Sequence, residues 1–261
     1  MQIKLLPAFE DNYLFILWDE KAHQAVAIDP GDAEPVMRWW LDSGKPQLEI
    51  WCTHHHGDHV GGVRSLKEQA GARVCAPSLD VSRFPGVDAS FDSAWKWCGR
   101  EVRLLALPGH TRDHVGFYIP SEKVVFVGDT LFSIGCGRVF DGTVEALFES
   151  LQKLAQLPGD TEVYCAHEYT LANLRFARAM DPSDEALRAF ETETLKKRSH
   201  DVFSVPSNLG IEKRLNPFLR VTDAQWVQRV LGEALSPLEA FRLLRRVKDA
   251  PLDSKFAERF Q

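Results

Sequence analysis

The sequence predicts an α/β layer protein with a helical C-terminal region. Through residue 167, short apolar runs alternate with stretches whose apolar residues recur at helical spacing; beyond His167 only the helical spacing continues. A further observation places chemistry on this frame. Histidines and aspartates gather where several of the predicted strands end.

Strands are expected at YLFILW (13–18), QAVAID (24–29), LEIWCT (48–53), EVRLLAL (101–107), VGFYI (115–119), KVVFVGD (123–129) and EVYCAH (162–167). Each is rich in the aliphatic, β-branched and aromatic residues that suit a pleated, half-buried surface. Between them, AEPVMRWWLDS (33–43), VGGVRSLKEQA (60–70) and TVEALFESLQKLAQL (143–157) have the apolar stripe of amphipathic helices. After His167, helices are expected at 168–180, 183–200, 222–233 and 236–247, with Ser183, Thr222 and Ser236 as N-caps. Turn-forming residues in VPSNLGIEKRLNPF (205–218) predict a connection between helices. The expected division is 1–167 and 168–261.

A chain of 261 residues, 44% hydrophobic, can bury a sizeable core. Its formal charge of −6 argues against an extended nucleic-acid surface. No apolar run approaches the roughly 20 residues that span a bilayer. The opening MQIKLLPAFEDNY has no signal-peptide core, and the five cysteines are odd in number without a C-x-x-C pair. These features predict a cytoplasmic protein with unpaired thiols.

Four of nine histidines fall within THHHGDHVGG (53–62). His54 and His56, two apart, share a side of an extended backbone, and His55 then points away. The run LEIWCT leads into THHHGDH, EVRLLAL into His110, KVVFVGD ends at Asp129 and EVYCAH at His167, so four strands deliver ligand-type side chains at their carboxyl ends. Any one histidine alone is more often an ordinary satisfied or surface residue. Jointly, His54, His56, Asp58, His59, His110, Asp129 and His167 exceed what one open tetrahedral site takes and suit two ions sharing a carboxylate, for which Asp129 is the choice. Gly57 permits a turn between the ligand pairs, and Asp58 is placed near the N-terminus of the following helix. Two cations about 3.5–4 Å apart supply hydroxide near neutral pH, so the expected nucleophile is a metal-bridging hydroxide held by Asp129 and the metal ligands. A closed structural zinc site would use cysteine, which this set lacks. Zinc is the expected metal, with iron or manganese as alternatives.

THHHGDH matches the H-x-H-x-D-H signature of the metallo-β-lactamase superfamily, and PGH110, GD129 and AH167 resemble its remaining ligand motifs. The resemblance implies an αββα sandwich with a dinuclear site in residues 1–167. PAFEDNYLF (7–15), DPGDAEPV (29–36), GDTLFSIGCGRVFDGT (128–143), CAHEYTLANLRFA (165–177) and RLLRRVKD (242–249) together resemble the glyoxalase II (hydroxyacylglutathione hydrolase) family over essentially the whole chain. That family implies hydrolysis of S-D-lactoylglutathione and related thioesters to a 2-hydroxy acid and glutathione, the second step of methylglyoxal detoxification. It implies that His54, His56 and His110 hold one metal and Asp58, His59 and His167 the other, with Asp129 bridging. It also implies Arg138, Tyr169, Arg245 and Lys248 as glutathione-binding residues, with the C-terminal helices contributing to that role. For RLLRRVKD the plain alternative is a solvated basic helix end.

Three positions depart from the family pattern: Arg138 stands where some members have Lys, Phe140 where some have Tyr, and Asp113 where Gly is usual. Asp29 reads equally as a partner of a ligand histidine or as a turn residue, and His114 as either an orienting or a turn residue. Cys136 needs an activating base to be a nucleophile; His23 and His200 read as surface residues. The competing functions are a single-iron persulfide dioxygenase, a lactonase, a phosphodiesterase, and a metal-binding module without catalysis. Expected partners are a small-molecule substrate and neither nucleic acid nor membrane; the expected state is a monomer.

Overall fold

The computed structural model describes residues 1–79, 81–91 and 93–250, so the last eleven residues of the expected C-terminal region lie outside it. Two compact units emerge: Met1–Leu107 with Asp113–Gly128, and Pro108–Arg112 with the chain from Asp129 onward.

The first unit begins with β1 (Gln2–Ala8), β2 (Asn12–Asp19) and β3 (Gln24–Ile28), followed by α1 (Ala33–Asp42) and β4 (Gln47–Trp51). Then come α2 (Gly57–Val60), α3 (Val63–Ala70), β5 (Arg73–Pro77) and β6 (Ala89–Phe91). These six strands form one sheet in chain order, antiparallel from β1 to β3 and parallel from β3 to β6. The parallel half follows from the crossovers through α1 and α3. β7 (Trp95–Trp97), β8 (Arg100–Ala106), β9 (Val115–Ile119) and β10 (Val124–Gly128) pair antiparallel as a second layer.

β2 is buried along nearly its whole length because both of its faces are covered. Leu14, Ile16 and Trp18 join Val36, Trp39, Val63 and Leu66 in the core beneath α1 and α3. On the opposite face Phe15 meets Phe126 at 5.5 Å between centroids, and Trp51 packs against Trp95 at 5.0 Å and Phe117 at 5.4 Å. Aromatic rings therefore fill the space between the two sheets, where each contributes large area and edge-to-face contacts.

The second unit contains β11 (Leu131–Phe132), β12 (Gly135–Cys136), α4 (Val144–Ala155), β13 (Glu162–Cys165), α5 (Thr170–Met180) and α6 (Glu185–Arg198). It continues through β14 (Ser207–Asn208), α7 (Leu209–Leu215), α8 (Pro217–Arg220), α9 (Ala224–Leu231) and α10 (Pro237–Asp249). β11 pairs with β12 and β13 with β14. Phe218 and Phe241 meet edge to face at 5.7 Å, joining α8 to α10.

Several local expectations need correction. Residues 205–218 are not a plain connection, since α7 and the start of α8 lie there. Asn208 accepts from the amides of Gly210 and Ile211, and Asn216 from that of Phe218, so the asparagines read as turn residues are N-caps. The caps of α6 and α9 are Asp184 and Asp223 rather than Ser183 and Thr222; their carboxylates reach the amides of Leu187 and of Gln225 and Trp226. Ser236 caps α10 in a reciprocal capping box with Glu239. The helix expected over 60–70 is split, because the Gly62 amide donates to the Pro30 carbonyl at 2.9 Å and the backbone of Ala33 stands where a side chain at 62 would project.

Candidate metal centre

In the first unit, the chain leaving β4 bends at Thr53 and His54 and is extended at His56, whose φ of −61° and ψ of 146° precede α2. His54 Nε2 and His56 Nδ1 lie 3.1 Å apart. His55 is engaged elsewhere, with its Nδ1 3.3 Å from Asp113 Oδ1 and its Nε2 accepting from Arg83. The one-turn helix α2 then presents Asp58 and His59, with Oδ2 and Nε2 3.5 Å apart.

Tautomers in this cluster follow from the surrounding bonds. Thr53 Oγ1 donates to Asp29 Oδ2 at 2.6 Å, so it accepts from His54 Nδ1 at 3.0 Å and leaves His54 Nε2 with a lone pair. His59 Nδ1 donates to the same Asp29 oxygen at 3.0 Å, which likewise leaves Nε2 as the acceptor nitrogen. Asp29 also takes the Thr53 amide at 2.7 Å and sits at φ +50°, so it is both the turn residue and the orienting partner that the sequence left open. Asn12, buried at the start of β2, donates to Asp58 Oδ2 at 3.0 Å. The His114 ring stacks on that of His54 at 4.7 Å.

In the second unit, His110 Nε2 and His167 Nε2 lie 3.5 and 3.4 Å from the same oxygen, Asp129 Oδ2. His110 Nδ1 donates to the Arg138 carbonyl at 2.8 Å, which again fixes Nε2 as the lone-pair nitrogen. The Asp129 backbone is tightly backed: a Cβ at Gly137 would lie 1.9 Å from its carbonyl oxygen. Tyr169 stacks on the His167 ring at 4.7 Å, nearly parallel at 4°.

The Nε2 lone pairs of His59 and His110 face carboxylate oxygens and repel them unless a positive charge lies among them, while His54 Nε2 accepts from His56 Nδ1 if that nitrogen carries a proton. Two bonds of about 2.05 Å at the tetrahedral angle place their donor atoms about 3.3 Å apart. The four donor separations, 3.1, 3.5, 3.5 and 3.4 Å, bracket that edge. The His/Asp sets of both units therefore fit divalent cations.

Residues 16–95 and 96–167 match the family model of the metallo-beta-lactamase superfamily, and residues 168–251 that of the hydroxyacylglutathione hydrolase C-terminus. The chain is 46% identical over 258 residues to the hydroxyacylglutathione hydrolase of Pseudomonas putida (strain GB-1), covering 95% of this chain and 99% of that one. The chain belongs to the hydroxyacylglutathione hydrolase family. Among solved structures it is similar to ETHE1 from Myxococcus xanthus, with 25% identity, a TM-score of 0.67 and coverage of 97% and 94%. It is also similar to TTHA1623 in a di-iron-bound form, with 26% identity, a TM-score of 0.62 and coverage of 84% and 100%. The fold is thus the metallo-β-lactamase αββα sandwich with C-terminal helices.

The four residues expected to hold glutathione occupy different surroundings. Arg138 is exposed, its Nε 3.6 Å from Asp249. Lys248 donates to Asn173 Oδ1 and lies over the rings of Phe176 and Phe218 at 5.1 and 5.8 Å. Arg245 is 3% exposed and its donors are committed: Nε and Nη2 to Asp249 at 2.9 and 2.8 Å, and Nη1 to the carbonyls of Cys136 and Gly137 at 3.2 and 3.3 Å. The guanidinium thus ties α10 to the end of β12 and the residue that follows it. Arg245→Ala is expected to lower unfolding stability by about 2 kcal/mol, since hydrogen bonds to a charged group contribute roughly 1.5–3 kcal/mol. A urea melt with an unchanged midpoint would contradict this anchoring role.

The cysteines supply no nucleophile. All five are free, and burial raises the thiols of Cys52, Cys75, Cys98, Cys136 and Cys165, Cys75 to about 11 and Cys165 to about 12. Sequence reading missed Asn12, the Arg83–His55–Asp113 chain and the Arg138 carbonyl. Only Asn12, next to a strand start, left a local trace.

Proposed function

We propose that this protein hydrolyses thioesters of glutathione with 2-hydroxy acids, S-D-lactoylglutathione foremost, to D-lactate and glutathione. The observation that carries this reading is the match of residues 168–251 to the hydroxyacylglutathione hydrolase C-terminus, alongside two His/Asp clusters of ligand type. Zinc is our choice of metal, with iron or manganese as alternatives. His54, His56 and His110 are assigned to one ion, Asp58, His59 and His167 to the other, and Asp129 to both. When bound, two such cations supply Lewis acidity and lower the pKa of water enough to give hydroxide near neutral pH.

The chain's own residues then have distinct tasks. Asp29 and the Arg138 carbonyl hold three imidazoles in the tautomer that offers Nε2, either directly or through Thr53. Arg138, Lys248 and Tyr169 hold the glutathione moiety, and Arg245 holds the helix that carries Lys248. On this reading residues 1–167 supply the metal chemistry and Arg138, and the helical region from residue 168 contributes the rest of the glutathione site. The complete set of Asp58, His59 and His167 favours two ions over the single iron of a dioxygenase. We place the protein in the cytoplasm as a monomer; the five free thiols support a reducing compartment. Among the described residues no helix is long and apolar enough to cross a membrane.

The test is hydrolysis of S-D-lactoylglutathione by purified protein, with metal content measured on the same sample and a metal-free control. Metal-dependent turnover that collapses when a simple thiol replaces glutathione is expected. Two bound metals with no turnover would reject the substrate and leave lactones and phosphodiesters to be assayed.

A further inference from the structure

Beneath the tight turn joining β11 to β12 lies a buried polar cluster that the chemistry above does not use. We infer that Glu212 is a positioning residue for the metal centre: by accepting the Ile134 amide it fixes the turn of the hairpin that begins at Asp129 and ends at Arg138. The inference rests on the reading of Asp129 and His110 as metal ligands.

Ile134 sits at φ +57°, a region that β-branched residues avoid, so the turn does not hold this shape by local preference. Its backbone groups are taken instead by three side chains. The Ile134 amide donates to Glu212 Oε2 at 2.8 Å, the Ser133 carbonyl accepts from Asn173 at 2.9 Å, and the Gly135 carbonyl from Asn216 at 2.9 Å. Glu212 is central to this cluster, because Oε2 also accepts from Asn216 at 2.9 Å and Oε1 from the Ser207 hydroxyl at 2.6 Å. Glu212 and Asn216 are wholly buried. Burying a carboxylate is costly unless donors surround it; here it supplies two acceptor oxygens to three donors, one of them the strained amide.

The hairpin is short enough to transmit the state of its turn. Its strands pair only as Leu131 with Cys136 and Phe132 with Gly135, and the Gly137 amide closes its base on the Thr130 carbonyl at 3.2 Å. One arm leads directly to the Asp129 carboxylate. The other leads to the Arg138 carbonyl that sets the tautomer of His110. A shift of the turn therefore reaches both a ligand carboxylate and the partner of a ligand imidazole.

The experiment is calorimetric titration of zinc into the metal-free full chain, with melting curves to establish folding and cobalt(II) absorption as a second readout of the ligand field. Glu212→Asp keeps the charge but withdraws the acceptor by one methylene. It is expected to weaken zinc about 10- to 100-fold, the usual effect of losing a group that orients a ligand, and to shift the cobalt bands. Glu212→Gln keeps an acceptor at full reach and is expected to restore both. A folded Glu212→Asp protein with wild-type affinity and spectrum overturns the inference, and so does a Glu212→Gln protein weakened as much as Glu212→Asp. If Glu212→Asp does not fold, Ser207→Ala replaces it: releasing Oε1 is expected to weaken zinc in the same direction, and unchanged affinity overturns the inference. Wild-type protein that takes up no zinc overturns the metal reading itself, whereas normal uptake with an unaffected Glu212→Asp protein overturns this inference alone.

Discussion

Asp129→Ala is expected to lower turnover by about three orders of magnitude or more, roughly 4 kcal/mol of barrier, and to reduce bound metal below two ions per chain. The carboxylate is buried, and a single oxygen of it faces Nε2 of both His110 and His167, at 3.5 and 3.4 Å. Asp129→Asn retains the shape and one acceptor oxygen but neutralises the charge that would offset the proposed cations, so it too is expected to lose metal. On the proposed assignment Asp58→Ala should be milder in stoichiometry, leaving about one ion, because it would remove one carboxylate of a private ligand set while Asp129 stays. Elemental analysis alongside kcat distinguishes these cases. Two retained ions with normal kcat in the Asp129→Ala protein would remove Asp129 from the centre.

The residues proposed as ligands were legible as candidates because each lies a few residues beyond a strand whose apolar run marks it. His54, His56, Asp58 and His59 come after Trp51, and Asp129 after Gly128, so local pattern sufficed. β1 and β5 were not anticipated. β1 alternates exposed and half-buried residues and contains Pro7, as an edge strand does, while β5 is a five-residue run flanked by helix and loop. Asn208 and Asn216 misled for a physical reason: the side-chain-to-backbone bond that makes an asparagine turn also makes an N-cap, and only the conformation of the succeeding residues decides between them. Glu212 had no local signal at all, because its partner Ile134 is 78 residues away. Arg245 shows the converse. Its surroundings in sequence resemble a solvated helix end, yet Asp249 one turn later and two distant carbonyls take its donors.

Lys248→Met is expected to raise KM for a glutathione thioester about 10- to 100-fold with little change in kcat, the range that a lost hydrogen bond to a charged group implies. Methionine keeps most of the stem against Phe176 and Phe218, so the loss isolates the ammonium. Burial pushes that ammonium down to about 8, which places its titration inside the working range. The protonated form is the one that attracts an anionic tripeptide, so the contribution is full well below pH 8 and is lost as the pH rises through about 8. KM of the wild-type protein should therefore rise between about pH 7 and 9, while that of the Lys248→Met protein stays level across the same window. Because kcat/KM reports the free protein, the inflection should lie near 8 even though a bound carboxylate would raise the pKa in the complex. A wild-type KM that is flat over this range, or a Lys248→Met protein with unchanged KM, would assign Lys248 to the packing of α10 and leave the exposed Arg138 as the cation that meets glutathione.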